Sequence, residues 1–236
     1  MRLLAGLLLF VAACTSAADP VPMSPTTAPT ATLLSGPVPY LALGDSYTIG
    51  QGVASAADRW PNQMATLARA QGLDVRPPDI IAKTGWTTTN LLDALATSGN
   101  TRTDYGLVSL LIGVNDQYEG QSIDVFRSEF KRLLGRATVF AGGRAERVLV
   151  LSIPDWGQSP FASGMNRPLI AQQIDQFNAV ALEECQRVGI VFVNITPFTR
   201  SAGADPTQFV DDGLHYTGIS MTPWAQRALG AVKQMR

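Results

Sequence analysis

Five short apolar runs alternate along the chain with longer stretches whose apolar residues recur at the spacing of an α-helix. The runs cover residues 38–44, 79–83, 106–112, 147–153 and 190–195. Continuous apolar runs of this length are typical of β-strands buried on both faces, as in a parallel sheet. Strands that alternate with helices are joined by right-handed crossovers, which place helices on both faces of the sheet. The alternation therefore predicts an α/β domain built on a five-stranded parallel sheet.

Each stretch between these runs shows one apolar face. The clearest stripe has the periodicity of an amphipathic helix and consists of Ile123, Phe126, Phe130, Leu133, Leu134 and Ala137. An earlier helix is expected to open at Trp60-Pro61, because proline is favoured in the first helical turn. The last helix is expected to start within residues 217–223. Cys185 lies on the apolar face of another helix and is predicted to be a buried small residue.

Composition narrows the classes of function. The 236 residues carry a net charge of −1 and no run of basic residues, so binding to nucleic acid through phosphate neutralisation is not expected. Two cysteines and one histidine exclude a disulfide-stapled scaffold. They also exclude zinc sites made of four cysteines, of two cysteines with two histidines, or of three histidines. Any imidazole chemistry must therefore use His215.

The N-terminal segment is predicted to be a targeting signal. Residues 1–14 read MRLLAGLLLFVAAC, with a basic residue before a short apolar run, which is typical of a signal peptide. The run is too short to span a bilayer, which needs about 20 residues. Its end resembles a bacterial lipoprotein box, in which Cys14 becomes the lipidated first residue. Cleavage after Ala18 is the alternative interpretation.

These two interpretations predict different locations for the mature protein, both involving export to or through the bacterial cell envelope. Lipidation at Cys14 gives a periplasm-facing lipoprotein, for which the lipid anchor is the sole link to the membrane, whereas cleavage after Ala18 gives a secreted protein. Residues 15–37 are rich in Pro and Thr, a composition that favours an extended spacer. The globular domain is therefore predicted over residues 38–236.

Polar residues follow the predicted strands at the points where ligands bind in parallel sheets. Ser46 follows the first strand in GDSYTIG, Gly85 follows the second, and Asn115 follows the third in GVND. Asp212 and His215 lie in DGLH, between the fifth strand and the last helix. Because ligands bind beyond the carboxyl ends of parallel strands, we expect these segments to converge at one edge of the sheet.

These residue types together suit nucleophilic catalysis. A serine hydroxyl needs a base to accept its proton during attack, and His215 is the candidate, since imidazole titrates near neutral pH. Asp212 lies three residues earlier and can fix the imidazole tautomer. The oxyanion of a tetrahedral intermediate needs fixed donors, which the backbone N–H groups of Ser46 and Gly85 and the side-chain amide of Asn115 can supply. Glycine at position 85 would let a substrate approach the backbone closely.

Each motif alone is also compatible with an ordinary turn, but the four in this order resemble the SGNH hydrolases, also called GDSL esterases and lipases. The resemblance implies a flavodoxin-like three-layer α/β/α fold, the SGNH hydrolase fold, and hydrolysis of esters or thioesters without a metal or other cofactor. It implies Ser46 as nucleophile, His215 as base, Asp212 as its orienting residue, and Ser46, Gly85 and Asn115 as oxyanion donors. The chain has Tyr47 where the family usually has leucine.

Several neighbouring residues have two interpretations. Asp45 and Asp116 adjoin the proposed catalytic positions and are expected to brace loops rather than transfer protons. Asp211 could take the role of Asp212. Three aromatic residues after strand ends either wall a substrate pocket or pack in the core or on the surface: Trp86, Tyr118 and Trp156. The Gly- and Pro-rich connection at 154–168 is expected to border the cleft, because long loops are often functional.

The expected substrate is a small-molecule or lipid ester, and other functions are considered at this level. An acyltransferase would use the same residues with an alcohol or sugar as acceptor, and a thioesterase would use them on an acyl thioester. A catalytically inactive module could bind glycans or lipids at the envelope. A metallophosphoesterase is disfavoured, because its two-metal sites normally recruit several histidines. Lysophospholipids, short-chain aryl esters, acetylated polysaccharides and acyl thioesters all suit the proposed site.

Overall fold

The apolar runs pair into one sheet in the computed structural model, which describes residues 36–203 and 205–235. Within these residues the sheet has five strands, all parallel: β1 (Tyr40–Gly44), β2 (Asp79–Ala82), β3 (Leu107–Leu111), β4 (Val148–Leu151) and β5 (Val191–Val193). Their order is β2-β1-β3-β4-β5, as in flavodoxin-like doubly wound folds. The predicted five-stranded parallel sheet is confirmed, and each strand is one to three residues shorter than the run that predicted it.

Helices cover both faces of this sheet. In the described part of the chain they are α1 (Ser46–Ile49), α2 (Trp60–Ala70), α3 (Thr88–Thr97), α4 (Val114–Tyr118), α5 (Ile123–Phe140), α6 (Arg167–Val188), α7 (Thr196–Ala202) and α8 (Gly218–Val232). One group consists of α2 and α8, which pack on each other, and the other of α3, α5 and α6, with α5 between its neighbours. This arrangement confirms the three-layer α/β/α fold.

Burial differs between the centre and the edges of the sheet. Every residue of β1, β3 and β4 is buried, because each of these strands has a neighbour on both sides and helices on both faces. The edge strands β2 and β5 are partly exposed, although their apolar runs resemble those of the central strands. An edge strand pairs on one side only, and this asymmetry does not appear in its sequence.

The register of the sheet places the predicted site segments side by side. Gly44, the last residue of β1, lies beside Ala82 of β2 and Leu111 of β3. The three strands therefore end at the same level. The segments that carry the predicted oxyanion donors leave the sheet from this shared edge, as the strand-end argument predicts.

Helix ends follow local sequence signals. α2 begins at Trp60 with Pro61 in its first turn, as predicted. α8 begins at Gly218, inside the expected range, and the hydroxyl of its N-cap residue Thr217 accepts a hydrogen bond from the Ser220 N–H. Cys185 is fully buried on α6, as expected.

The predicted signal peptide at 1–14, the lipidation site Cys14 and the linker as far as residue 35 lie outside the described residues. Across residues 36–203 and 205–235, no helix is both long enough and apolar enough to cross a membrane.

Candidate active site

Ser46 occupies a sharp turn between β1 and α1. It is the first residue of α1, and the Asp45 carboxylate caps this helix by accepting a hydrogen bond from the Tyr47 N–H at 2.9 Å. A Cβ atom at Gly44 would collide with the Thr48 side chain and the Leu111 carbonyl oxygen. Only glycine fits at the end of this strand. The first N–H groups of a helix have no partner within the helix, so the Ser46 N–H is available as an oxyanion donor.

His215 is held by Asp212 in a tight turn. The imidazole Nδ1 lies 2.6 Å from Asp212 Oδ2, and Asp212 Oδ1 accepts hydrogen bonds from the N–H groups of Leu214 and His215. Gly213 has a φ of +66°, a left-handed conformation that favours glycine. The turn is closed by a 2.8 Å hydrogen bond from the Val210 N–H to the His215 carbonyl. These bonds fix both the position and the tautomer of the imidazole.

The electrostatics of Asp212 suit this role. Partial burial raises the pKa of the Asp212 carboxyl, but the hydrogen bonds from the His215 ring and from the two backbone N–H groups outweigh burial and hold the pKa below its usual value. Asp212 is therefore an anion at neutral pH, and a carboxylate in this position is suited to stabilise an imidazolium. Asp211 and Asp212 both line a neighbouring cavity, but it is Asp212 that contacts the imidazole, so the geometry does not favour the alternative role for Asp211.

One cavity brings the predicted residues together. It has a volume of about 180 Å³, and its lining includes Ser46, Gly85, Asn115 and His215. His215 is buried, and its ring packs 5.4 Å from the ring of Tyr47 between their centroids. Residues from four separate segments of the chain thus meet at the carboxyl edge of the sheet. The residues that carry the predicted hydroxyl, imidazole and N–H donors therefore line one cavity.

The predicted oxyanion donors Gly85 and Asn115 are oriented by the backbone around them. Gly85 has a φ of +80°, and no atom lies within 4 Å of the place where its Cβ would be. Backbone conformation is therefore the structural reason for glycine here. The Asn115 amide donates one hydrogen bond to the Trp86 carbonyl at 2.9 Å. Since a carboxamide carries two N–H donors, one donor remains beyond this hydrogen bond, as the predicted role requires.

Two buried aspartic acid side chains, Asp45 and Asp116, brace these loops, in the way the sequence suggested. Asp116 accepts hydrogen bonds from the Thr88 N–H at 3.0 and 3.1 Å and from its hydroxyl at 2.5 Å, which ties the loop before α3 to α4. Burial raises the pKa of Asp116 to about 6 and that of Asp45 to about 8. Each carboxyl lies one residue away from a proposed catalytic group, Asn115 or Ser46.

The walls of the cavity are largely apolar and aromatic. Of the three candidate wall residues, Tyr118 and Trp156 line the cavity. Trp86 is outside the lining, and its half-buried ring packs against the hydrophobic core. The connection at 154–168 borders the cavity through Trp156 and Phe161. Phe161 was not singled out by the sequence, although it lies within the connection expected to border the cleft.

In the described ranges, 36–203 and 205–235, no group of three or more His, Cys, Asp and Glu side chains is placed to hold a metal ion.

Solved structures similar to this chain support the fold. An α/β hydrolase from the metagenome of Lake Arreo aligns with a TM-score of 0.66 and 15% identity, covering 87% of this chain and 99% of that one. An acetylxylan esterase from Geobacillus stearothermophilus gives 0.64 and 15%, covering 85% and 96%. The lipase/acylhydrolase from Enterococcus faecalis gives 0.62 and 19%, covering 84% and 96%. At these identities the similarity concerns fold.

No curated protein sequence gives a significant match. The sequence profile of the GDSL-like Lipase/Acylhydrolase family matches residues 42–219, a range that contains Ser46, Gly85, Asn115, Asp212 and His215. The resemblance noted from the four motifs is thus confirmed over most of the chain. The chain belongs to the GDSL-like lipase/acylhydrolase family and is a carboxylic ester hydrolase.

Proposed function

We propose that Ser46, His215 and Asp212 act as a catalytic triad that hydrolyses small-molecule esters through an acyl-enzyme intermediate. The observation that carries the proposal is the 2.6 Å contact between His215 Nδ1 and Asp212 Oδ2, together with a cavity that Ser46 and His215 both line. A base fixed by a carboxylate and facing the same space as a serine is the arrangement that nucleophilic catalysis needs.

Acylation begins when Ser46 Oγ attacks the ester carbonyl carbon and its proton passes to His215 Nε2. The carbonyl oxygen becomes an oxyanion that the Ser46 and Gly85 N–H groups and the Asn115 amide stabilise. As the intermediate collapses, the bond to the leaving oxygen breaks and the alcohol takes the proton from His215. Ser46 is left carrying the acyl group, and Asp212 has balanced the transient imidazolium charge.

Deacylation repeats these steps with water as the nucleophile. His215 accepts a proton from the water as it attacks the acyl carbon. The bond to Ser46 Oγ then breaks, Oγ recovers the proton, and the carboxylic acid leaves. An alcohol or sugar in place of water would make the protein an acyltransferase, and a thioester substrate would make it a thioesterase. Free acid as the main product of an incubation with added alcohol would support hydrolysis, whereas a new ester would support transfer.

Hydrolysis of p-nitrophenyl acetate by Ser46→Ala and His215→Ala tests the triad. The kcat of each variant is expected to be lower than that of the wild type by about a thousandfold or more, since loss of a triad member removes nucleophilic catalysis. Ser128→Ala is the matched control, because Ser128 is exposed on α5 and away from the cavity. A fluorophosphonate should label the wild type and Ser128→Ala but not Ser46→Ala. Full activity in Ser46→Ala, or no labelling of a folded wild type, would overturn the proposal and favour an inactive binding module.

We further propose that Cys14 is lipidated and anchors the enzyme at the bacterial cell envelope. The support is the apolar segment that ends in Val11-Ala12-Ala13-Cys14. Mass spectrometry of the mature N-terminus is the test. A diacylglyceryl group on Cys14 is the expected result, and an unmodified N-terminus at Asp19 would show a secreted protein instead.

A further inference from the structure

The apolar walls of the cavity are best placed to contact the acyl group of the ester. This follows from the positions of the other groups bonded to the ester carbonyl carbon. With the carbon bonded to Ser46 Oγ, its oxygen points to Gly85 and Asn115, and the leaving oxygen must face His215 to receive a proton. The third substituent of this carbon is the acyl chain, which must contact the remaining residues of the lining. These are mostly apolar or aromatic and include Val114, Tyr118, Trp156, Phe161 and Leu214.

Trp156 is the fixed part of this wall. It is only 5% exposed, and its indole Nε1 donates a 2.7 Å hydrogen bond to Gln117 Oε1. Gln117 is also buried, and its amide donates in turn to Gln173 Oε1 at 2.8 Å. The Trp156 carbonyl accepts from the Ser159 hydroxyl at 2.6 Å. Rotation of the indole away from the cavity would leave a buried donor and a buried acceptor unpaired, which is unfavourable.

Two further aromatic rings flank the indole at the more exposed side. Tyr118 packs edge-on against Trp156 with 5.2 Å between ring centroids, and Phe161 lies 6.2 Å from it. Tyr118 is 55% exposed and Phe161 is 40% exposed, so both rings border solvent. Trp156 therefore forms the buried end of the acyl pocket, and Tyr118 and Phe161 form its rim.

The space in front of this tryptophan is small. The cavity volume of about 180 Å³ must hold the ester group as well as the acyl chain. At about 30 Å³ per non-hydrogen atom, the share of one water molecule in the liquid, it holds about six such atoms. After the two ester oxygens are placed, about four carbons remain. A longer acyl chain must therefore leave the cavity across the exposed rim of Tyr118 and Phe161, where it buries less surface.

We propose that this enzyme is selective for short acyl groups, from acetyl to about butyryl, and that Trp156 sets this limit because Gln117 holds it in place. The inference rests on the proposed triad mechanism. It favours acetylated and other short-chain esters over lysophospholipids. Trp156 is then the specificity-determining residue, and Gln117 is a positioning residue that acts through it.

A series of p-nitrophenyl esters with two to twelve acyl carbons tests this limit. For the wild type, kcat/KM is expected to be highest at two to four carbons and at least about tenfold lower at eight, since one methylene that fits or does not fit changes specificity by about 10-fold or more. Trp156→Ala is expected to raise kcat/KM for the eight-carbon ester about tenfold relative to the acetyl ester. Phe198→Ala is the control, because Phe198 is a partly exposed aromatic residue that lines a different cavity, and its chain-length profile should match the wild type.

Variants of Gln117 separate positioning from general stability. Gln117→Leu removes the acceptor for the indole N–H and should shift the profile toward longer chains, while Gln117→Glu keeps an acceptor and should retain the wild-type profile. Trp156→Phe, which shortens the ring, provides an intermediate shift if Trp156→Ala does not fold. A wild type that prefers eight or more carbons, or Trp156 variants that are active with an unchanged profile, would overturn the inference. If the folded wild type hydrolyses none of the esters, including the acetyl ester, the triad mechanism itself would be contradicted instead.

Discussion

Asp45 is the carboxyl group whose charge this fold stabilises least, and its removal should make the protein more stable at high pH. The side chain is fully buried. One oxygen accepts a hydrogen bond from the Tyr47 N–H, whereas the other, Oδ2, accepts none from the described residues. Burial, with a smaller contribution from the charge of Asp116, raises the pKa of Asp45 from 3.8 to about 8.

The sign of the pH effect follows from this shift. Because the pKa of Asp45 is higher in the folded state than in the unfolded state, the folded state binds the proton more strongly between these two values. The free energy of unfolding therefore falls as pH rises from about 4 to about 8, by about 1.4 kcal/mol per pH unit for one group. From pH 5 to pH 7 the loss due to Asp45 is about 3 kcal/mol. For a domain of this size it corresponds to about 6–12 °C in Tm.

Asp45→Asn tests this reasoning by thermal unfolding at pH 5 and pH 7. Asparagine does not titrate but retains the oxygen that caps α1. The difference in Tm between the variant and the wild type should therefore be about 6–12 °C larger at pH 7 than at pH 5, in favour of the variant. Asp93→Asn, at an exposed position on α3, should show the same difference from the wild type at both pH values. A pH-independent difference for Asp45→Asn would refute the assignment of a raised pKa to this carboxyl.

Two further predictions concern turnover. Asp212→Asn should lower kcat on p-nitrophenyl acetate by about 10²–10⁴-fold, because the neutral amide no longer stabilises the imidazolium or fixes its tautomer, while Asp211→Asn should stay within about twofold of the wild type. Equal losses in the two variants would contradict the assignment of Asp212. Asn115→Ala should lower kcat by about 10²–10³-fold through loss of one oxyanion donor, with thermal unfolding as the check that the fold persists. An unchanged kcat would remove Asn115 from the oxyanion site.

The parts of the fold that could be predicted are those in which burial alone determines the pattern of apolar residues. Strands buried on both faces give continuous apolar runs, so the three central strands were identified with their correct type and position. The edge strands were identified too, but not their partial exposure, because β2 and β5 carry the same kind of run as β1. Their exposure depends on strand order, which is a property of the whole sheet.

The site was predictable where a residue type has few chemical alternatives. With one histidine in the chain, the pairing of His215 with Asp212, which the structure shows, could be predicted from the sequence. The supporting contacts could not. Gln117 and Trp156 are 39 residues apart, and Thr88 and Asp116 are 28 apart, so no local pattern relates them. Trp86 also shows this limit, because its position after a strand end suits a wall residue, yet its ring packs on the core.

The short helix α4 explains how separate loops form one site. Its successive residues differ in direction by about 100°, and each contacts a different part of the site. Asn115 faces the cavity, Asp116 binds Thr88 in the segment after Gly85, Gln117 binds Trp156, and Tyr118 packs against the same indole. One turn of helix thus positions both the proposed oxyanion donor and the proposed acyl wall. A change that displaces α4 should impair turnover and alter chain-length selectivity together, whereas a change confined to the Asp212 and His215 turn should lower turnover and leave the selectivity intact.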